Sequence, residues 1–243
     1  MRYGFEELFK RFKQAVTAYD MLADDKPVMV GLSGGKDSLT LLYALKQYQR
    51  ISKYKYALAA GHVSLGFPGD DLSLMQNFCQ ELAVPFFYQK TEIGPIIFEH
   101  RQETNPCALC AKMRRGAFNA LAKKQGFNKI ALAHHQDDVV ETLLLNLFFE
   151  GRVGSFSPVT YLDRMDITVI RPLIYVPEAQ ISYFVRKQAL PVTKSRCPQN
   201  CLGKRQEIKA LLKTFEELAP HGKDRAVGAL KRLYGMKWDG FYG

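Results

Sequence analysis

A loop of six residues, Ser33 to Ser38 (SGGKDS), combines several groups that bind phosphate. Two adjacent glycines let the backbone approach a phosphate closely, and the helix predicted to begin within the loop adds N–H groups and the positive end of its dipole. Ser33 and Ser38 supply hydroxyl groups, Lys36 a positive charge, and Asp37 a carboxylate that helps to hold Mg²⁺. The spacing differs from a Walker loop, which has four residues between its glycines, and from G-x-G-x-x-G.

Two histidines and two aspartates form a second polar segment, His134 to Asp138 (HHQDD). This combination suits the handling of magnesium and phosphate, or general acid–base chemistry. A histidine on its own is more often structural, so both histidines stay open between a structural and a chemical role. We expect Asp138 to take part in the chemistry.

Four of the five cysteines lie in two short clusters, Cys107 with Cys110 and Cys197 with Cys201. An odd number of cysteines without a signal peptide argues against a disulfide framework. A C-x-x-C pair suits a redox couple, half of a zinc site or the ligands of an iron–sulfur cluster. The thioredoxin-like context of a redox pair is absent, and zinc would need a fourth ligand, which Cys201 could supply.

Alternating strands and helices must bring these groups together. Short apolar runs predict five strands, at 27–32, 56–63, 86–89, 129–133 and 167–170. Helical periodicity predicts helices at 36–47, 70–82, 111–125, 137–149, 178–187, 204–218 and about 224–233. Such alternation indicates a parallel α/β sheet with helices on both faces, whose ligands bind at the carboxyl ends of the strands. Both polar segments follow predicted strands.

The predicted domain organisation has three parts. An N-terminal helix occupies residues 1–24, an α/β nucleotide-binding domain residues 25–190, and a helical tail with two cysteines residues 191–243. Cys79 lies in an apolar stretch and is expected in the core. A stripe of large apolar side chains on helix 137–149 is also interpreted as core packing: Leu143, Leu144, Leu147 and Phe148.

Composition and charge narrow the class of protein. The chain has 243 residues, of which 47% are hydrophobic and 24% charged, as in a globular domain with appended helices. No apolar run is long enough to cross a bilayer and no signal peptide is evident, so we expect a cytoplasmic protein. The net charge is +10, and nine basic against four acidic residues lie between Lys204 and Lys237. This basic tail is either a solvated face or a surface for nucleic-acid phosphates.

The segment Ser33–Ser38 after a strand resembles the PP-loop of ATP pyrophosphatases, which have an adenine nucleotide α-hydrolase-like fold. The resemblance implies that a substrate oxygen attacks the α-phosphorus of ATP, pyrophosphate leaves, and a nucleophile then displaces AMP. It also implies a set of residues in contact with ATP: Gly31, Leu32, Ser33, Gly34, Gly35, Lys36, Asp37, Ser38, His62, Val63, Ala133 and Asp138.

More of the chain, from the phosphate loop to about Ile208, resembles the tRNA 2-thiolation enzymes that make 2-thiocytidine and their 2-thiouridine relatives. The matching motifs are Gly66-Phe67-Pro68, C-x-x-C followed by Arg114-Arg115-Gly116, Ala131 to Asp138 leading to Glu141-Thr142, Arg171-Pro172-Leu173, and a cysteine eight residues before Arg205. The resemblance implies tRNA as a partner and a sulfur donor, either a cysteine desulfurase or sulfide. A homodimer is one option for the assembly.

The same resemblance implies a 4Fe–4S cluster held by Cys107, Cys110 and Cys197, with one iron lacking a protein ligand. Cys201 stays open between a fourth ligand, a sulfur carrier and a bystander. Cys197-Pro198 is similar to the 2-thiouridine branch. The short chain without terminal zinc-finger cysteines is similar to the 2-thiocytidine branch, so cytidine is the favoured base.

The reaction implied by the resemblance begins with Mg²⁺–ATP on the phosphate loop. The C2 oxygen of the base attacks the α-phosphorus, with catalytic roles for Lys36, Asp37, Arg114 and Asp138, and sulfide then replaces AMP. Three alternatives remain: an enzyme with a nitrogen nucleophile such as a lysidine synthetase, a sulfur transferase for a small molecule, and a zinc-stabilised RNA-binding protein.

Overall fold

The computed structural model of the chain describes residues 4–69, 71–101, 106–193 and 204–234. Cys197 and Cys201 lie outside these described residues. The predicted boundaries after residues 24 and 190 therefore stay predictions, although the first helix, α1 (Phe5–Ala18), lies within the segment that was expected to hold it.

A six-stranded sheet forms the centre of the fold, in the order β3-β2-β1-β4-β6-β5. Its strands are β1 (Val28–Gly31), β2 (Leu58–Val63), β3 (Phe86–Gln89), β4 (Lys129–Ala131), β5 (Val159–Leu162) and β6 (Ile167–Ile170). All neighbours pair in parallel except β5 and β6, which are antiparallel. The predicted α/β class with a parallel sheet is confirmed. The edge strand β5 was not predicted, since Val-Thr-Tyr-Leu is not a continuous apolar run.

Helices cover both faces of the sheet. After α1 they are α2 (Lys36–Ile51), α3 (Ser73–Glu81), α4 (Ile93–Pro95), α5 (Pro106–Lys124), α6 (Gln136–Phe149), α7 (Glu178–Lys187), α8 (Lys204–Leu218) and α9 (Gly222–Tyr234), with a π-helical turn at Ile96–Arg101. Helix α5 begins five residues earlier than predicted, because Pro106 suits the first helical position, where its missing N–H costs no hydrogen bond. None of the described helices is long and apolar enough to span a membrane.

Alternate residues of the central strand supply two separate cores. Val28 and Val30 face the cluster that includes residues of α1, α2, α6 and α7, whereas Met29 faces Phe118 of α5 on the other side. These strand side chains are fully buried, and burial of one such side chain contributes roughly 1.5–3 kcal/mol. A sheet buried on both faces explains why its strands appear in the sequence as continuous apolar runs.

The two core predictions have different outcomes. Cys79 is buried, as predicted, and burial raises the pKa of its thiol to about 11. The stripe on α6 was predicted wrongly in part: Leu143 and Leu144 pack against the core, but Leu147 and Phe148 are 41% and 64% exposed. Helix α6 buries residues of its first two turns, whereas the large apolar side chains of its last turn are exposed.

The sheet order creates a crevice between β1 and β4. The connection after β1 leads through α2 to β2 on one side, while that after β4 leads through α6 toward β6 on the other. Ligands of open parallel sheets bind at such a switch point, outside the carboxyl ends of the strands. The crossover helix α5 connects β3 to β4, so its N-terminus lies at this same edge.

Candidate active site

The phosphate loop is held in shape by its own serines. The hydroxyl of Ser38 donates to the carbonyl of Gly35 at 2.9 Å and accepts from the backbone N–H of Ser33 at 3.1 Å. The two serine hydroxyls are 3.1 Å apart. Gly34 has a φ of +77°, and an added Cβ would collide with the side chain of Thr193. The serines therefore brace the loop, while Lys36, Asp37 and the start of α2 remain to bind a ligand.

Lys36 is held by two carboxylates. Its Nζ lies 2.7 Å from Oδ1 of Asp37 and 3.0 Å from Oε1 of Glu178, the first residue of α7. Burial opposes the positive charge, but these two carboxylates raise the pKa of Lys36 above its ordinary value. The lysine therefore carries its charge at every physiological pH, at the position where the sequence predicts an ATP phosphate.

Glu178 connects Lys36 to helix α8. Its Oε2 lies 2.7 Å from Nζ of Lys209, while the backbone N–H of Glu178 donates to Oδ2 of Asp137 at 2.7 Å. Burial of Glu178 favours the neutral acid, but the hydrogen bond from Lys209 and the charge of Lys36 outweigh it and lower its pKa to about 2. The carboxylate is therefore ionised whenever the protein is folded near neutral pH.

The two aspartates of the second polar segment have different surroundings. Asp137 is buried, accepts from Lys223 of α9 at 2.7 Å and holds the N-terminus of α7, so it joins three helices. Asp138 is 19% exposed and lies 3.8 Å from NH1 of Arg205 on α8. The same guanidinium lies 3.8 Å from the buried Glu141, whose pKa is raised by burial and by the charge of Asp138.

The two histidines also differ. His135 caps α6. Its ring Nδ1 accepts from the backbone N–H of Asp138 at 3.4 Å, and the backbone N–H of His135 donates to Asp138 Oδ2 at 3.0 Å. Its Nε2 lies 3.7 Å from Asp37 Oδ1, so this cap also connects the two polar segments. His134 packs against the ring of Phe156, and burial followed by the nearby charge of Arg171 lowers its pKa to about 4. His134 is therefore neutral at physiological pH.

The remaining residues predicted to contact ATP line the ends of the central strands. Gly31 and Val63 end β1 and β2, Leu32 directly follows β1, and Ala133 lies two residues after the end of the short β4. Nδ1 of His62 lies 2.7 Å from the carbonyl of Leu32, which joins the ends of β1 and β2. The fold therefore gathers these residues at one edge, as the sequence predicts, while their contacts with ATP stay predictions.

The pair Cys107 and Cys110 lies in the first turn of α5, at the same edge of the sheet. Cys107 is exposed and Cys110 is buried, and residues three apart in a helix share one face. Two thiols so placed suit two ligands of an iron–sulfur cluster. Arg114 lies one turn further along and is exposed. Among the described residues no group of three or more histidine, cysteine or acidic side chains is arranged to hold a metal ion. The predicted third and fourth cysteines lie outside those residues.

Comparison with known proteins identifies the family. Residues 5–209 match the family model described as a PP-loop domain. A tRNA-cytidine(32) 2-sulfurtransferase of Citrifermentans bemidjiense is 35% identical over 95% of this chain and 92% of its own length. One of Geobacter sulfurreducens is 37% identical over 91% and 88%.

The chain belongs to the PP-loop family of tRNA 2-thiolation enzymes.

A solved structure agrees with this assignment. The U34-tRNA thiolase NcsA from Methanococcus maripaludis, determined with its [4Fe-4S] cluster, superposes with a TM-score of 0.79 and 26% identity over 94% of this chain and 78% of that chain. The family resemblance and the adenine nucleotide α-hydrolase-like fold expected from the sequence are both confirmed.

Sequence reasoning missed three residues that contact predicted site residues: Thr193, whose N–H donates to the carbonyl of Gly34 at 3.0 Å, Glu178 beside Lys36, and Arg205 beside Asp138. It also missed that Lys209 contacts Glu178. Arg205 had entered only as part of a motif. The signal available for Glu178 was its place at the start of a predicted helix, directly after Pro177. Nothing in the sequence indicates that Lys209 reaches it.

Proposed function

We propose that this enzyme uses ATP to activate C2 of a pyrimidine in tRNA and replaces its oxygen with sulfur, with cytidine as the favoured base. The main support is the conjunction of two groups at one edge of the sheet. A PP-loop follows β1, and a cysteine pair opens α5, in a chain about a third identical to proteins named tRNA-cytidine(32) 2-sulfurtransferases.

In the proposed first step, ATP lies on the phosphate loop. Lys36 and the N-terminus of α2 bind its phosphates, exchanging the contact between Lys36 and Glu178 for one with the ligand. Asp37 exchanges its own contact with Lys36 for a magnesium ion. Since Lys36 is charged, it stabilises the negative charge that develops as pyrophosphate leaves.

The base enters beside Asp138, which is fixed by its cap with His135 and faces Arg205. Asp138 positions the C2 oxygen for attack on the α-phosphorus, and Arg114 on α5 neutralises phosphates of ATP or tRNA. Neutral His134 and the buried Asp137 support the site without contacting the reacting groups.

Cys107, Cys110 and Cys197 are proposed as the ligands of a 4Fe–4S cluster. Two thiols one turn apart at the N-terminus of α5 fit two of these positions. When bound, the cluster would supply a sulfur nucleophile at the iron that has no cysteine ligand. Because a fourth thiolate would occupy that iron, Cys201 is proposed not to be a permanent ligand. The sulfur comes from a cysteine desulfurase or from free sulfide, and a homodimer is the assembly that we would test first.

The decisive experiment is anaerobic purification, followed by iron and sulfide analysis and a visible spectrum. We expect a brown protein with about four irons per chain. With ATP, Mg²⁺, sulfide and unmodified tRNA it should produce a 2-thionucleoside that mass spectrometry identifies as thiocytidine. Stoichiometric zinc without visible absorbance would refute the cluster. Thiouridine as the product would assign the enzyme to the 2-thiouridine branch. Thiolation by a Cys107→Ser variant would favour a route without the cluster.

Single serine variants separate the cysteines. Cys107→Ser, Cys110→Ser and Cys197→Ser should each lose iron, because two thiolates hold such a cluster poorly. Cys201→Ser should keep its iron content and spectrum whatever its turnover. If Cys201→Ser loses iron as fully as Cys107→Ser, the cluster has four cysteine ligands at rest and sulfur delivery would require one of them to leave.

A further inference from the structure

The carboxylate of Glu178 joins helix α8 to the phosphate loop. Glu178 lies 3.0 Å from Lys36 of the loop and 2.7 Å from Lys209 of α8, so two ammonium groups share one negative charge. Lys209 is 47% exposed, whereas Lys36 and Glu178 are 29% and 21% exposed. We call these three residues, Lys36, Glu178 and Lys209, the lysine–glutamate relay.

The middle residue of the relay is anchored. Glu178 begins α7, and its N–H donates to Asp137 Oδ2 at 2.7 Å. Asp137 is held in turn by Lys223 of α9 at 2.7 Å, and α7 packs against α1 and α2. Glu178 therefore keeps its place when either lysine changes partner, which a residue in an exposed loop would not do.

In the relay, Glu178 and an ATP phosphate would compete for the ammonium group of Lys36. A triphosphate that binds Lys36 must compete with Glu178 for the same ammonium group and also meets the negative charge of Glu178. Lys209 offsets part of that charge from the other side. Removing Lys209 therefore strengthens the hold of Glu178 on Lys36, while removing the charge of Glu178 leaves Lys36 with Asp37 as its remaining carboxylate partner.

We propose that Glu178 is a positioning residue that sets how strongly the phosphate loop binds ATP, and that Lys209 on α8 adjusts this strength through Glu178 alone. This inference rests on the proposed function only in requiring that the loop binds ATP. It gives α8 a role in nucleotide binding besides any contact with tRNA.

The test compares single and double variants by calorimetry with a non-hydrolysable ATP analogue and Mg²⁺, without tRNA and at fixed ionic strength. Glu178→Gln should bind the analogue more tightly and Lys209→Met more weakly, each by about three- to tenfold, the size usual for coupled neighbours. The double variant should bind like Glu178→Gln, because without the carboxylate Lys209 has lost the ion pair through which it acts on Lys36. Lys209→Arg should keep the affinity of the parent protein.

Lys187→Met is the matched control. Lys187 ends α7, so this variant loses one exposed positive charge from the helix that Glu178 begins, nine residues and roughly 13 Å along its axis. It should bind the analogue like the parent. In AMP formation with tRNA, Glu178→Gln should lower both KM for ATP and kcat, since Lys36 no longer has to leave Glu178 to bind a phosphate and is positioned less precisely, by Asp37 without Glu178. A merely structural role for Glu178 would instead raise KM.

Two outcomes would overturn the inference in different ways. If Lys209→Met weakens binding equally with and without Glu178, the effect is general electrostatics and the relay is refuted, although the proposed function stands. If the parent protein binds no ATP analogue, the proposed function fails and the relay fails with it. The lysine variants change exposed or half-exposed side chains, so loss of folding is not expected to obscure either result.

Discussion

The phosphate loop and the charged groups of the C-terminal helices form one site by opposite means. Many contacts of the loop join residues one to five positions apart, such as Ser33 with Ser38 and Lys36 with Asp37. The contacts of α8 and α9 join residues 31 positions apart (Lys209 with Glu178), 63 apart (Arg205 with Thr142) and 86 apart (Lys223 with Asp137). The phosphate-binding groups of the loop are therefore encoded by consecutive residues, whereas the charged residues that surround the site come from distant helices.

The largest expected effect comes from the loop itself. Lys36→Ala removes the charge that faces the ATP phosphates and should reduce tRNA-dependent AMP formation by about 100-fold or more. The fold should be retained, because Glu178 keeps its contact with Lys209. The measurements are AMP release and the unfolding midpoint. An unchanged rate of AMP formation would show that the loop is not the catalytic phosphate site.

Acid should reveal the contribution of His134, a residue that sequence reasoning left open. Burial and Arg171 lower its pKa from 6.5 to about 4, so the unfolded chain takes up this proton first. The contribution of neutral His134 to the free energy of unfolding is fully present above pH 6.5. It is lost as the pH falls toward 4, by about 3 kcal/mol. Urea unfolding between pH 7.5 and 4.5 should therefore show falling stability. A His134→Asn variant should show a smaller slope, and an equal slope in both proteins would contradict the assignment.

The contact of α9 with the core can be broken by Lys223→Met. The side chain of Lys223 is 24% exposed and that of Asp137 is 9% exposed. The substitution removes the lysine ion pair from the buried carboxylate of Asp137. We expect a loss of about 1–3 kcal/mol in the free energy of unfolding. Arg225→Met, on an exposed position of the same helix, is the control and should change stability by less than about 0.5 kcal/mol. Equal effects would mean that α9 is held by its apolar side chains alone.

The smallest expected effect concerns the shape of the loop. Gly34→Ala places a Cβ at a φ of +77°, against Thr193, and should cost roughly 1–2 kcal/mol, seen as about tenfold weaker ATP binding. Gly228→Ala, inside helix α9, should instead stabilise the protein by roughly 0.5–1 kcal/mol, because alanine favours a helix. If both variants behave alike, the strained position of Gly34 is not what shapes the site.

Particular residues show where sequence reasoning succeeded. β3 and the helices α7 and α8 have the predicted bounds, because each is a short, strongly patterned segment. Leu147 and Phe148 were wrongly placed in the core, since periodicity gives the face of a helix but not the point where its neighbours end. The basic tail was left between two interpretations, and Arg205, Lys209 and Lys223 contact acidic residues of the site.

By itself, the sequence determined the phosphate loop, the cysteine pair, the alternation that produces a parallel sheet, and hence the edge where the site lies. The loop and the cysteine pair follow from short-range rules, because six consecutive residues or one helical turn contain the whole signal. The alternation follows from a series of such short segments along the chain. Only the tertiary structure decided that Asp137 joins three helices while Asp138 lies beside Arg205, that His135 is a cap, and that Glu178 joins Lys36 to Lys209. Neighbouring residues of the same type differ in this way because burial and partners come from helices folded back from distant parts of the chain.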